Sequence, residues 1–314
     1  MPLRVTIRWI LAHHTTVKGK TITQKKICQI IIDGTQSTWY CINTAYKKKQ
    51  IQPLEVNMQY FDTHAHVGLI DEDPIEQLII VQEARHAGVK HIISISNNLK
   101  DFFQIYENLK TASYVYHSIG VSPSEVSHPG KNWEAQIEEG VKLERIVAIG
   151  EIGLDYFHKF GDKDSQIELF ITQLELAEKL NFPVVIHNRE AGNDVYEILK
   201  EKLPSKGGIL HCYSENWEYA KRALELNLYI SFAGNVTYRN AHNLHETVCQ
   251  MPLERMLIES ESPFMVPSDY RGKRNRPIYI SSTARFIAEL RGEPEEMVCE
   301  TLYNNACTFF GISD

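Results

Sequence analysis

Five short stretches bring imidazoles and carboxylates together in a pattern that suits a divalent metal. They are Asp62-Thr63-His64-Ala65-His66, Gly150-Glu151-Ile152-Gly153-Leu154-Asp155, His187-Asn188-Arg189, His211-Cys212-Tyr213-Ser214 and Glu259-Ser260-Glu261. In an extended segment residues two apart point the same way, so His64 and His66 can present both imidazoles to one ion. Imidazole plus carboxylate, without thiolate, suits zinc, manganese or magnesium held with positions open for water. Such an ion lowers the pKa of its bound water towards neutrality and supplies a hydroxide nucleophile. If Glu151 spans two ions roughly 3.5–4 Å apart, the pair would clamp the attacking and leaving oxygens of a phosphodiester. A carboxylate from the Glu259–Glu261 stretch would then take the proton from that water.

Taken singly, each stretch has a bland reading. A lone histidine at a strand end is more often a hydrogen-bonded structural residue than a ligand, and an H-x-H pair alone is weak. Convergence carries the metal expectation: four histidines and two carboxylates all stand where apolar runs stop, and none lies in an expected helix. Nucleophilic serine chemistry is not indicated, because Ser214 and Ser262 lack a G-x-S-x-G elbow. Cys212 follows a candidate ligand, and strand neighbours point to opposite faces, so it is expected to pack.

The elements that must position these residues alternate regularly from Met58 onward. Apolar runs "QYFDTH", "HIISIS", "VYHSIGVS", "IVAIGEIG", "PVVIH", "GGILHC", "LYISFAG" and "MLIESE" read as strands. Between them amphipathic patterns predict helices near 74–88, 98–111, 132–142, 163–181, 191–203, 215–227 and 239–250, with two more near 279–291 and 294–305. Near-continuous apolar strands alternating with helices mean a parallel sheet covered on its faces. Eight such units in about 257 residues fit a (β/α)8 TIM barrel, whose active site sits at the C-terminal ends of the strands. A doubly wound open sheet is the other option, but no Gly-rich phosphate fingerprint follows the first strand.

Composition is that of an ordinary soluble globular chain: 314 residues, 43% hydrophobic and 23% charged. No window approaches the roughly 18–20 apolar residues of a membrane span. The six cysteines are scattered and form no C-x-x-C pair, which suits reduced thiols in the cytoplasm. The net charge of -7 hides an asymmetry: residues 1–57 hold nine Lys/Arg against Asp33 and Glu55, and the remainder holds 24 against 38 acids. So acidic a body attracts a phosphate polymer only through a local basic patch or bound metal.

Residues 1–57 lack clear periodicity and are expected to lie outside the working fold, with 58–314 as the hydrolase domain. A hairpin around Asp33-Gly34 is the one local signal. Scarce acids raise an organellar transit peptide as an alternative, and Met58 as the true start is another.

The segments "FDTHAH", "IGEIGLDY", "VVIHNREA", "LHCYS", "SFAGNVTY", "ESESPFMVP", "RGKRN" and "NNACTFFG" together resemble the TatD-type metal-dependent deoxyribonucleases, in the family's order and close to its spacing across 58–314. The resemblance implies an amidohydrolase-like TIM barrel, one or two divalent ions (Mg, Mn or Zn), and hydrolysis of DNA phosphodiesters from single strands or 3′ ends. It implies no membrane and no obligate protein partner. By position, His64 and His66 resemble ligands of one ion, His187 and His211 those of a second, and Glu151 the carboxylate shared between them. Glu261 falls where the family keeps an Asp, as ligand or base. Arg189 is placed to grip a phosphate oxygen, unless a salt bridge occupies it. Arg271, Lys273 and Arg274, with Arg276, would form the local patch for the nucleic-acid backbone, unless they are a plain solvated loop. Four positions depart from the family pattern: Ser122 for a His, Glu215 for a Gly, Arg276 for an acid, and Glu261 for the Asp. The last puts a carboxylate one methylene further out and opens two other readings, another ester substrate (an RNA end, an aminoacyl ester, a small phosphoester) or a weakened metal-binding scaffold.

Overall fold

A computed structural model of the protein describes residues 58–313 in full, and residues 4–17, 20–33 and 36–43 by their backbone. The chain divides into two compact units, Met1–Glu55 and Val56–Asp314. In the first, β1 (Arg4–Val17), β2 (Lys20–Asp33) and β3 (Gln36–Asn43) pair antiparallel in that order, and Asp33 stands opposite Gln36. The hairpin expected at Asp33-Gly34 falls at this β2–β3 connection, whose turn lies outside the described residues. The sequence reading found no second hairpin there.

The second unit is the expected barrel. Its strands are β4 (Tyr60–Ala65), β5 (Val89–Ser94), β6 (Val115–Ile119), β7 (Ile146–Asp155), β8 (Val184–Arg189), β9 (Gly208–Leu210), β10 (Tyr229–Phe232) and β11 (Met256–Ile258). All neighbours pair in parallel, in sequence order from β4 to β11. The seam between β11 and β4 is fastened just past the strand ends. Glu261 N–H donates to the His64 carbonyl and His66 N–H to the Ser262 carbonyl, both at 2.9 Å.

Helices fill the connections: α1 (Val67–Ile70), α2 (Pro74–His86), α3 (Leu99–Leu109), α4 (Trp133–Gly140), α5 (Lys163–Leu180), α6 (Gly192–Lys202), α7 (Trp217–Glu225), α8 (His242–Gln250), α9 (Ile280–Arg291) and α10 (Glu295–Phe310). Their starts are written in the sequence. Asp73, Asn98, Asp162 and Asn216 each cap a first turn by accepting a hydrogen bond from a backbone N–H two or three residues on. Glycines in left-handed conformation, Gly292 and Gly311, stop α9 and α10. Two expectations needed correction: α1 was not foreseen, and α10 runs to Phe310 rather than 305. No helix among the described residues is long and apolar enough to cross a membrane.

Strand alternation sorts the apolar residues into two cores. Phe61, Ile93, Ala148, Val185, Ile209 and Leu257, one from each of six strands, cluster with Tyr303, Ala306 and Phe310 of α10. Six strands can share one cluster only inside the barrel, so α10 closes the N-terminal mouth. Their neighbours Tyr60, Ile92, Ile149, Val184, Ile186, Leu210 and Ile258 belong to the larger outer core under the helices. Each fully buried side chain of this size contributes about 1.5–3 kcal/mol. With its lower end filled, the barrel presents polar strand ends only at the C-terminal mouth.

Candidate metal centre

Two irregularities in the sheet aim the site residues. In β4, Asp62 and Ala65 pair with Ile92 and Ser94 of β5, so the strand carries one extra residue around His64. In β7, Ile149 and Ile152 pair with Val184 and Ile186 of β8, so one extra residue falls at Gly150-Glu151. Such bulges re-aim a side chain without ending the strand. Gly153 makes the second one possible. Its φ is +139°, and a Cβ there would lie 2.0 Å from the His187 carbonyl oxygen. Only glycine lets β7 and β8 approach so closely, and the approach sets Glu151 beside His187.

The result is a buried cluster with two poles. At one, His64 Nε2 and His66 Nε2 lie 3.1 Å apart. At the other, His187 Nδ1 and His211 Nε2 lie 3.2 Å apart. Glu151 stands between. Its Oε2 faces His64 and His66 at 3.6 and 3.5 Å, and its Oε1 faces His187 and His211 at 2.9 and 3.5 Å. Glu261 Oε2 is 3.3 Å from His64 Nε2 and 3.7 Å from His211 Nδ1. The His64 and His211 rings stack at 4.0 Å. All six expected ligands are thus brought together.

These residues fit a divalent cation. Two nitrogens bound to one ion at about 2.0–2.1 Å, separated by a coordination angle near 90–110°, lie roughly 3 Å apart, the spacing found in both histidine pairs. Glu261 Oε2 is buried without a hydrogen-bond partner, an arrangement costly unless a cation satisfies it. Ligand-bearing sets of three recur in the cluster: His64, Glu151 and His211; His64, His66 and Glu261; His211, Glu259 and Glu261.

The charges divide unequally among the three glutamates. Burial alone would raise Glu151, but the His211 charge and hydrogen bonds from His187, His211 and His64 hold it well below the usual carboxylate range. Glu259 is lowered in the same way, its burial outweighed by His211. Glu261 goes the other way: burial raises it against the lowering effect of His64 and His211, and the Glu259 and Glu151 charges add to the rise. It is the glutamate of the three with raised proton affinity. His66 is pushed down to about 3 by burial and by His64, which keeps its nitrogen free to bind an ion.

Three supporting residues had no metal role in the sequence reading or only a general one. Asp155 Oδ2 sits 3.1 Å from His187 Nε2 and 2.8 Å from His158 Nδ1, and so fixes which His187 nitrogen faces the centre. Glu151, Gly153 and Asp155 are spaced by two along β7, and that period was the available signal. Glu259 Oε1 accepts from Cys212 N–H at 2.7 Å and faces His211 Nδ1 at 3.4 Å, and so supports that imidazole from behind. Asp62, buried and raised to about 7 by that burial, accepts from Ser260 N–H at 2.8 Å and ties the barrel seam.

Simple alternation fails in two places. Cys212 (φ +44°) and Glu261 (φ +55°) both lie in the left-handed region, just beyond β9 and β11. Cys212 therefore does not simply turn away to pack. Burial and the nearby charges of Glu261, Glu259 and Glu151 hold its thiol well above the usual range. It is a protonated neighbour of the centre, unsuited to act as a thiolate.

The expected substrate-binding cations are placed differently from one another. No carboxylate among the described residues pairs with Arg189, whose guanidinium lies over the Phe157 ring at 4.6 Å. Arg271 and Lys273 are exposed, Lys273 above Tyr270 at 5.2 Å. Arg274 instead donates to the Leu69 carbonyl, and Arg276 pairs with Glu83 at 2.9 Å. Beside the end of β8 opens a 580 Å³ cavity whose walls include Glu190, Asp194, Glu215 and Glu218.

A family model described as "TatD related DNase" matches residues 61–311. The chain belongs to the TatD family. The "Uncharacterized metal-dependent hydrolase YabD" of Bacillus subtilis is 36% identical over 255 residues, 81% of this chain and 99% of that protein. The "Uncharacterized metal-dependent hydrolase YcfH" of Escherichia coli K12 is 33% identical over 257 residues, 80% and 95% of the two chains. Among solved structures, the TatD homolog YJJV of Escherichia coli K12 superposes with a TM-score of 0.76 at 27% identity, covering 82% of this chain and all of that one. The protein is a TatD-family metal-dependent hydrolase. Its departures from the family pattern have defined surroundings. Ser122 caps a short 3-10 turn by accepting from Ser124 N–H at 3.4 Å, and Glu215 accepts from Asn188 Nδ2 at 3.3 Å.

Proposed function

We propose that the protein hydrolyses DNA phosphodiester bonds at single-stranded or 3′ ends, working in the cytoplasm with Mg, Mn or Zn. The observation that carries this reading is the division of the two Glu151 oxygens between two histidine pairs. One carboxylate facing two such sets suits a pair of ions, and a pair of ions suits both oxygens of an in-line displacement at phosphorus. His64 and His66 would hold one ion and His187 and His211 the other, with Glu151 shared and Glu261 completing the set. Bound cations would supply a water of lowered pKa and neutralise charge developing on the phosphate.

The chain's own residues do the rest. Glu261 takes the proton from the attacking water. Arg189, free of a carboxylate partner, grips a non-bridging phosphate oxygen. Arg271 and Lys273 draw in the strand. Arg274 and Arg276, already engaged, hold the loop in place.

A second reading, hydrolysis of another ester, is favoured by the four carboxylates lining the cavity beside β8, which would repel a phosphate strand there. The test is turnover by the metal-loaded protein of single-stranded DNA, an RNA end and a small phosphoester. We expect nucleotide release from DNA with Mg or Mn, reduced at least about 1,000-fold in His187→Ala. Turnover of the other substrates alone would move the assignment to the second reading.

A further inference from the structure

Two large exposed apolar rings lie near the metal centre, Phe264 next to His66 and Phe157 next to His158 and Arg189. Phe264 is 51% exposed and Phe157 is 50% exposed. Phe264 lies edge-on to His66, ring centroids 6.2 Å apart. Its backbone is fixed on both sides: its N–H donates to the Glu261 carbonyl at 2.8 Å, and its carbonyl accepts from the buried Asn275 Nδ2 at 2.5 Å. Phe157 lies edge-on to His158 at 4.9 Å, and His158 reaches His187 through Asp155. Phe264 thus borders the His64–His66 pole, and Phe157 is linked to His187 of the other pole through His158 and Asp155.

Each ring leaves about half of its surface open to solvent, and Phe264 is held by Asn275, which also donates to the Ser260 carbonyl. Arg189 already lies over Phe157, which pairs a flat cation with a flat ring beside the position where a phosphate would bind. A ligand with an anionic centre flanked by two flat aromatic groups matches this arrangement. A single-stranded nucleotide chain has that form, with a phosphate between two bases. In a duplex both faces of a base are already stacked, so only unpaired bases can offer them.

We propose that Phe264 and Phe157 are stacking platforms for the two unpaired nucleobases on either side of the scissile phosphodiester. The proposal rests on the nuclease reading and deepens it: the rings select unpaired DNA, and the metal centre cuts it. Arg189 serves twice, gripping phosphate and backing the Phe157 platform.

The test compares kcat/KM of the Mn-loaded protein on two single-stranded oligonucleotides. They are identical except that one is abasic at both nucleosides flanking the cleaved bond. On the base-bearing strand Phe264→Ala and Phe157→Ala should each lose roughly 10-fold, as loss of one stacked base predicts. On the abasic strand, already slower with wild type, the same variants should lose little more. Phe264→Trp should restore the rate on the base-bearing strand. In a non-cleavable strand, 2-aminopurine at the flanking positions should be quenched by the wild type and not by the matching Ala variant. Equal losses on both strands, or quenching that survives ring removal, would overturn the stacking role while leaving the nuclease reading intact. If the wild type cleaves neither strand, the nuclease reading fails, and this inference fails with it.

Discussion

At Glu261 one extra methylene decides how the site works. The residue lies in the left-handed region, uncommon for a long side chain, just after the barrel seam. Its backbone is pinned by the hydrogen bond from its N–H to His64, so the carboxylate has to reach from a fixed base. From there the glutamate arm brings Oε2 to 3.3 Å from His64 Nε2. Aspartate would withdraw that oxygen by about 1.5 Å, one carbon–carbon bond. Misplacement of that order costs up to about 100-fold, so Glu261→Asp should lower kcat roughly 10- to 100-fold. The assay is DNA turnover at saturating Mn; a rate equal to or above wild type would show that the centre is built for aspartate. The candidate ligands that the fold brings together were legible in the sequence because each ends an apolar run. What they lean on was less so: that Asp155 orients His187 depends on distances that join different strands. Strand alternation does not extend to Cys212, which lies past the end of β9 at positive φ, although its thiol is largely withdrawn from water as expected of a packed residue.

At the level of elements, the strands and their order followed from apolar runs alternating with amphipathic patterns, whereas the two bulges did not. Strands buried on both faces carry no alternation for an inserted residue to break, yet the insertions fall at His64 and Gly150-Glu151, where they re-aim the site residues. The strands also carry a pH response away from the metal site. His117 in β6 is buried beside the Tyr106 and Phe102 rings, and burial, with Arg145 nearby, pushes its pKa down to about 3. An unfolded histidine titrates near 6.5. As pH falls below about 6.5, only the unfolded chain gains this proton, so the stability present above that pH drains away towards pH 3. At pH 5 the loss is about 2 kcal/mol. Urea unfolding of metal-free wild type and His117→Phe at pH 7.5 and 5.0 checks this. The variant should lose about 2 kcal/mol less across the interval, because the titration of the metal-site groups is common to both. An identical loss would mean that His117 is not held neutral.

For the whole molecule, the features that define function all lie beyond Met58. The family match begins at residue 61, every expected ligand falls between His64 and Glu261, and the barrel forms its own compact unit. The first 57 residues are basic and the remainder acidic, so the nuclease reading depends on the local cations Arg189, Arg271 and Lys273 of the barrel itself. The barrel must also accommodate three buried glutamates within one mouth, Glu151, Glu259 and Glu261, whose mutual repulsion a cation relieves. A ligand that binds only the folded state stabilises it by about 2.7 kcal/mol at a concentration 100-fold above Kd. For a domain of this size that is a rise in Tm of roughly 5–10 °C. A chain beginning at Met58 should therefore fold, bind Mn, and gain the same 5–10 °C on metal addition as the full chain, with EDTA reversing the gain in both. Calorimetric scans of the two chains, with and without Mn, make the comparison. If the shorter chain aggregates or loses the metal-induced rise, residues 1–57 are part of the working fold. Equal shifts place the whole of the metal chemistry within 58–314.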